Sequence, residues 1–112
     1  MTNKRLSSHS WISAYCKYLE LEGIPYYVLR KGNLISGAIL VKVTISRDSA
    51  VLYHSILDLS GKSIWDTLCQ GNHDEIDKNL EKQISFDKDL WILEVEEKGG
   101  HGLLERPYLE RG

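Results

Sequence analysis

Cysteine is scarce in this chain. Two thiols, Cys16 and Cys69, stand among 112 residues, too few for a disulfide scaffold and too sparse for a zinc cluster. Free thiols in a reducing cytosol are therefore expected. Long apolar runs are missing too: stretches such as residues 38–41 fall far short of the ~20 residues that span a bilayer. No basic start leads into an apolar stretch, as a secretory signal would have, so a cytoplasmic chain with no membrane association is expected. The Rossmann glycine pattern, the phosphate-binding P-loop, the Gly-x-Ser-x-Gly elbow and the Cys-x-x-Cys pair are all absent. No repeat or low-complexity segment occurs. On these grounds no cofactor, metal or catalytic set is expected.

What is present reads as one ordinary globular domain. At 42% apolar and 27% charged residues the chain can bury a single core over its whole length, with residues 1–7 a frayed end. The net charge of −2 argues against a protein built wholly around nucleic acid. Its distribution is uneven, however: residues 1–47 carry +5 and residues 48–112 carry −7. Such a division presents either a basic and an acidic face or two halves whose charges neutralise across the fold.

The patterning predicts a helix over 11–22, with Ile12, Tyr15, Cys16 and Leu19 on one stripe, Ser8 or Ser10 as cap, and Gly23 and Pro25 as the stop. Strands are predicted over 26–31, 37–45 and 50–57. The second of these has one wholly apolar face (Ile39, Val41, Val43, Ile45) and one mixed face, which suits the middle of a sheet. Short connections imply antiparallel hairpins. Residues 58–72 read as a turn followed by a short helix or an irregular loop. Asn72 or Asp74 then caps a helix reaching about residue 85, and 90–97 alternates as a further strand. Residues 101–105 are expected to return as a short edge strand. The fold class is α+β, a mainly antiparallel sheet of four or five strands with two helices, in the order α-β-β-β-α-β(-β). Both helices are expected on one face, Leu80 and Ile84 joining Ile12, Tyr15 and Leu19 over Val41, Trp91 and their neighbours.

Candidate chemistry is sparse. Lys42 lies mid-strand, where it is either a ligand-binding cation or a lysine that lays its methylenes on the sheet and lifts its head into water. The four histidines have no metal-type spacing; His54, on a strand beside Tyr53, is the one most suited to a site. Arg30, Lys31 and Arg47 complete a ligand-binding set with Lys42 and His54. A nucleic-acid surface would use Lys4, Arg5, Arg30, Lys31, Lys42 and Arg47 on phosphates, with Tyr26 or Tyr27 for stacking. A diverged metal-dependent nuclease would draw Asp89, Glu94 and Glu96 together. The element order matches the cores of restriction-endonuclease-like nucleases and double-stranded-RNA-binding domains. Lys42 and Tyr53-His54-Ser55 do not fill the nuclease positions, and the second helix begins with acids where the RNA-binding domain has lysines.

Three stretches together carry a resemblance. They are Arg30-Lys31-Gly32-Asn33 with Gly37-Ala38-Ile39-Leu40-Val41-Lys42-Val43, then Leu52-Tyr53, then Phe86-Asp87-Lys88-Asp89-Leu90-Trp91 running into Glu96. This combination resembles a small bacterial family, domain of unknown function 1491, from residue 11 to residue 104. Lys88 stands where that family usually has proline. The resemblance implies a cytoplasmic stand-alone domain and supplies no catalytic residue, cofactor or activity. In physical terms Gly32 and Gly37 suit turns and close packing, Asp87 and Asp89 suit backbone N–H groups between a helix and a strand, and Trp91 suits a core anchor. The reading that follows is a non-enzymatic binding or interaction module. Its partner would be an unknown protein or a second copy, with nucleic acid the alternative.

Overall fold

The computed structural model describes residues 6–104. Its elements run α1 (Ser8–Leu21), β1 (Tyr26–Arg30), β2 (Ile39–Ser46), β3 (Ser49–Leu57), β4 (Ser63–Gly71), α2 (His73–Phe86) and β5 (Trp91–Glu96). The class is α+β, with two helices and a mostly antiparallel five-stranded sheet. Spatial order is β1-β5-β2-β3-β4. Every neighbouring pair is antiparallel except β2 and β5, which run parallel with Val41 beside Leu93. β5 therefore separates β1 from β2, so Gly32-Asn33 turns the chain without closing a hairpin.

The fifth strand is β4, within the stretch expected as a turn and a short helix or loop. A bulge explains the misreading. Leu52 pairs with Cys69 but Tyr53 pairs with Thr67, so Leu68 is an extra residue and the period of two becomes a step of three. Residues 101–104, by contrast, form turns and no edge strand. Glu105 lies outside the described residues, as do residues 1–5 of the expected frayed end. The cap of α1 is Ser7, whose hydroxyl oxygen accepts the N–H of Ser10, in place of Ser8 or Ser10. Asn72 caps α2 as expected, in a reciprocal capping box with Glu75.

The two helices lie on opposite faces of the sheet. α1 packs Trp11, Ile12, Tyr15 and Leu19 on Ile39, Val41, Val43, Trp91, Leu93 and Val95. α2 packs Ile76 and Leu80, with Ile84 beside them, on Leu40, Leu52, Leu90 and Ile92. Leu80 and Ile84 thus do not join the α1 cluster. The alternate residues of β2 and β5 are themselves apolar enough to need a second cover. Val41 and Trp91 are 0% and 3% exposed, as core anchors should be.

Two loops fasten these layers. In the first, the Asp89 carbonyl accepts the N–H of Asn33 at 2.9 Å, and the Asn33 carbonyl accepts Trp91 Nε1 at 2.7 Å. The same loop offers the carbonyls of Leu34 and Ile35 to the first backbone N–H groups of α1. Chain segments approach so closely here that a Cβ on Gly32 would land on the Asp89 carbonyl, and one on Gly37 would lie 2.8 Å from the Trp91 ring. In the second loop, Glu97 accepts backbone N–H groups from Gly99, His101 and Gly102. The carbonyls of Gly100 and Gly102 accept the hydroxyls of Tyr53 and Tyr15, each at 2.6 Å. Burial pushes the Tyr15 hydroxyl far above its ordinary range. For Glu97, burial acts upward, but the three N–H bonds outweigh it and hold the carboxyl below its ordinary 4.5.

Two predictions follow from these loops. Gly32→Ala and Gly37→Ala are each expected to lower the unfolding free energy by about 1–3 kcal/mol, through overpacking. Urea denaturation checks this, and unchanged midpoints contradict it. Because the Glu97 pKa falls on folding, its contribution is full above the ordinary value and is lost as pH falls through the folded one. The Tm gap between wild type and Glu97→Gln should be wide at pH 7 and narrow as pH falls below 4.5. A gap independent of pH contradicts the assignment.

Candidate functional site

α2 packs on β3 and β4 and reaches the sheet centre through Ile76 and Leu80. Between it and β1 runs a groove of about 390 Å³, with Leu29, Leu80, Ile84 and Ile92 for its apolar lining and Asp77 and Glu81 on the helical rim. The two acids stand four residues apart, so one face of α2 presents both. Leu29 is 49% exposed and Tyr27, next along the same edge strand, 52%.

Arg30 also lines the groove, and a bulge puts it there. Val28 pairs with Leu93 while Arg30 pairs with Ile92, so Leu29 is the extra residue and Arg30 turns to the α2 side. Strict alternation with Val28 would have sent it to the α1 side. Its Nη2 donates to the Lys88 carbonyl at 2.9 Å, whereas its Nε is buried with no hydrogen-bond partner.

Lys42 is buried, its side chain only 6% exposed. Its Nζ lies 3.2 Å from Asp77 Oδ1 and 3.8 Å from Glu94 Oε2, and the Thr44 hydroxyl donates to the same Glu94 oxygen at 3.0 Å. The expectation of a head lifted into water is corrected: α2 lies over the lysine, so the ammonium stays in the layer and takes carboxylates from α2 and β5.

The remaining candidates lie elsewhere. Lys31 is exposed just after β1. Arg47 is exposed in the β2–β3 turn, in a shallow depression with Asn72, His73 and Asp74 at the start of α2. His54 lies toward the other end of α2, its Nε2 3.3 Å from Asp66 Oδ2, lining a hollow of about 180 Å³ with Leu40, Gln83 and Asp87. Since α2 is about 21 Å long, Arg47 and His54 do not share a site. Arg30 and Lys42 lie nearer each other, Arg30 lining the groove with Asp77 and Lys42 bonded to that same Asp77. Lys4 and Arg5 fall outside the described residues.

The other proposed groupings fare similarly. Tyr26 packs on the α1 core and donates its hydroxyl to Glu20 at 2.6 Å, a bond that pushes its pKa up to about 12. Only Tyr27 of the two stacking candidates has a broadly open ring. Glu94 faces Lys42 and Thr44, while Asp89 precedes β5. Among the described residues no three His, Cys, Asp or Glu side chains gather as a metal-holding group. The residues that sequence reasoning missed are Leu29, Asp77, Glu81 and Ile84. The i, i+4 acids of α2 were a visible signal, but the bulge that aims β1 at them was not.

The architecture is a small α/β/α sandwich with a groove along one flank, a class defined by packing and carrying no activity of its own. The matched family profile is described as a protein of unknown function, DUF1491, and spans residues 6–105; the chain belongs to this family. It is similar to the crystal structure of a DUF1491 family protein from Caulobacter crescentus CB15, at 30% identity and a TM-score of 0.81, covering 91% of this chain and 97% of that one. An NMR structure of a DUF1491 family protein from Caulobacter crescentus CB15 matches at 29% identity, TM-score 0.80, over 94% and 97% of the two chains. The solution structure of protein Atu0922 from A. tumefaciens matches at 28% identity, TM-score 0.73, over 92% and 98%. Comparison with curated proteins found no match.

The Lys42 arrangement yields a stability prediction. Removing both counter-charges with Asp77→Asn and Glu94→Gln leaves the ammonium buried alone. This should cost about 2 kcal/mol or more, short of the ~3–5 for a fully enclosed pair because Asp77 is half exposed. Adding Lys42→Met should recover most of the loss. Chemical denaturation of the double and triple variants tests it, and a double variant as stable as wild type contradicts it.

Proposed function

We propose that this chain is a non-enzymatic binding module that offers the groove between β1 and α2 to a protein partner in the cytoplasm. The observation that carries the reading is the groove itself: half-exposed Leu29 and Tyr27 beside a lining of Leu80, Ile84 and Ile92. Adjacent exposed large apolar side chains on one flank mark a binding surface more often than scattered ones do. The polar groups near it support binding over turnover. Lys42, Glu94 and Thr44 satisfy one another, and among the described residues that line the groove no nucleophile stands beside a base.

The cytoplasmic setting is supported by the two cysteines, both free. No helix among the described residues is long and apolar enough to cross a membrane. Nucleic acid is the poorer partner. Lys42 is neutralised within the fold, and Arg30 and Arg47 lie on different sides of α2, so among the described residues no basic track follows a phosphate backbone.

Display selection of random peptides tests the reading. Peptides enriched on the wild-type chain should bind Leu29→Asp at least tenfold more weakly, while the two proteins melt alike. Peptides indifferent to Leu29→Asp, or no enrichment at all, overturn it.

A further inference from the structure

The groove has a shape and a charge that narrow its occupant, given the binding role proposed above. We propose that the partner is a cationic amphipathic helix lying alongside α2, apolar stripe down, with Lys or Arg side chains against the acids of the rim.

Geometry favours a helix over a strand. α2 sits toward β3 and β4 and already covers Ile92, which is 2% exposed, so the open lane lies beside α2 over β1, where Tyr27 and Leu29 are half exposed. A helix laid there packs beside α2 at the ~8–10 Å of neighbouring helices, with its apolar stripe on Leu29 and Tyr27. Strand addition at β1 is opposed by the extra residue Leu29, which breaks the ladder that an incoming chain would have to continue. β4 carries the same obstacle at Leu68.

Charge selects the sign. Asp77 and Glu81 stand on the helical rim, and Glu94 and Glu96 point from β5 to the same side. Against these four carboxylates stand Arg30 and Lys42, leaving a surplus of two negative charges along the lane. Lys42 is consumed by Asp77 and Glu94, so Glu81 and Glu96 are the acids that face an incoming partner. Complementary charge steers encounter and rejects partners of the wrong sign.

Among the described residues, a second copy of this chain does not supply such a helix. α1 buries its apolar stripe against its own sheet and carries Lys17 against Glu20, and α2 is itself acidic in its first turn. The occupant is therefore a different chain, with apolar residues at i, i+3, i+4 and i+7 and basic residues flanking them.

The test uses two labelled, end-blocked helical peptides of about 18 residues (about five turns) with the same leucine stripe, one flanked by Lys and the other by Glu. Fluorescence anisotropy is read at low and physiological salt against wild type, Glu81→Lys, Leu29→Asp and, as a control on the α1 side, Glu22→Lys. Wild type and Glu22→Lys should bind the Lys peptide equally and prefer it to the Glu peptide by at least tenfold, more weakly as salt rises. Glu81→Lys should lose that preference, Leu29→Asp should lose binding, and all four proteins should give the same circular-dichroism melt. Equal binding of both peptides by wild type, or Lys-peptide binding that ignores Glu81→Lys and Leu29→Asp, overturns the cationic helix. Display-selected peptides that need Leu29 but are acidic or extended would leave the groove as a binding site and remove only this partner class. Selection that ignores Leu29 removes both.

Discussion

The backbone carbonyl of Asp89 is the point on which the rest of this structure hangs. It accepts the N–H of Asn33, and the glycines at 32 and 37 let the two chain segments come close enough to make that contact. From there the consequences spread outward. The Asn33 carbonyl holds the Trp91 indole, Trp91 opens β5 at the sheet centre, and β5 forms its parallel pair with β2. The same loop receives the first N–H groups of α1, groups that a helix end otherwise leaves without partners. A single close approach thus sets a strand's position, a helix's start and the insertion of β5 between β1 and β2.

Placing β5 there decides what the far face looks like. Both central strands are apolar on the α1 side and mixed on the other, where Leu40 and Ile92 still need a cover and α2 must share its side with the buried cation Lys42. Burying that ammonium is tolerable because α2 and β5 each bring a carboxylate to it. The position of α2 then has a second effect. A helix lying toward β3 and β4 leaves the β1 flank with an apolar lining and an acidic rim. The buried ion pair and the open groove are two results of one packing choice.

Much of this was legible in the chain. The stop of α1 at Gly23, the Asn72 cap of α2, the two-faced β2, the turn at Ser60-Gly61 and the core roles of Val41 and Trp91 all follow from local patterns, and the class of fold followed with them, whereas the α1 cap fell on Ser7 in place of Ser8 or Ser10. What escaped was governed by single extra residues and by neighbours distant in sequence. Leu68 breaks the alternation of β4, so a strand read as a helix or loop. Leu29 does the same in β1 and sends Arg30 to the opposite face. Nothing local to Lys42 reveals that Asp77, 35 positions away, will cover it. Residues 101–104 looked like an edge strand because their apolar pattern is short, and only the carboxylate of Glu97 and the two tyrosine hydroxyls explain the turn.

The central claim is spatial: partners are met on the α2 side of the β1–β5 flank. Methyl-detected NMR of the isotopically labelled full chain, titrated with the lysine-flanked helical peptide, tests it most directly. The account predicts shifts at the methyls of Leu29, Leu80, Ile84 and Ile92, while those of Val41, Val43 and Val95 beneath α1 stay in place. Shifts confined to the α1 side or to the β4 edge would contradict it.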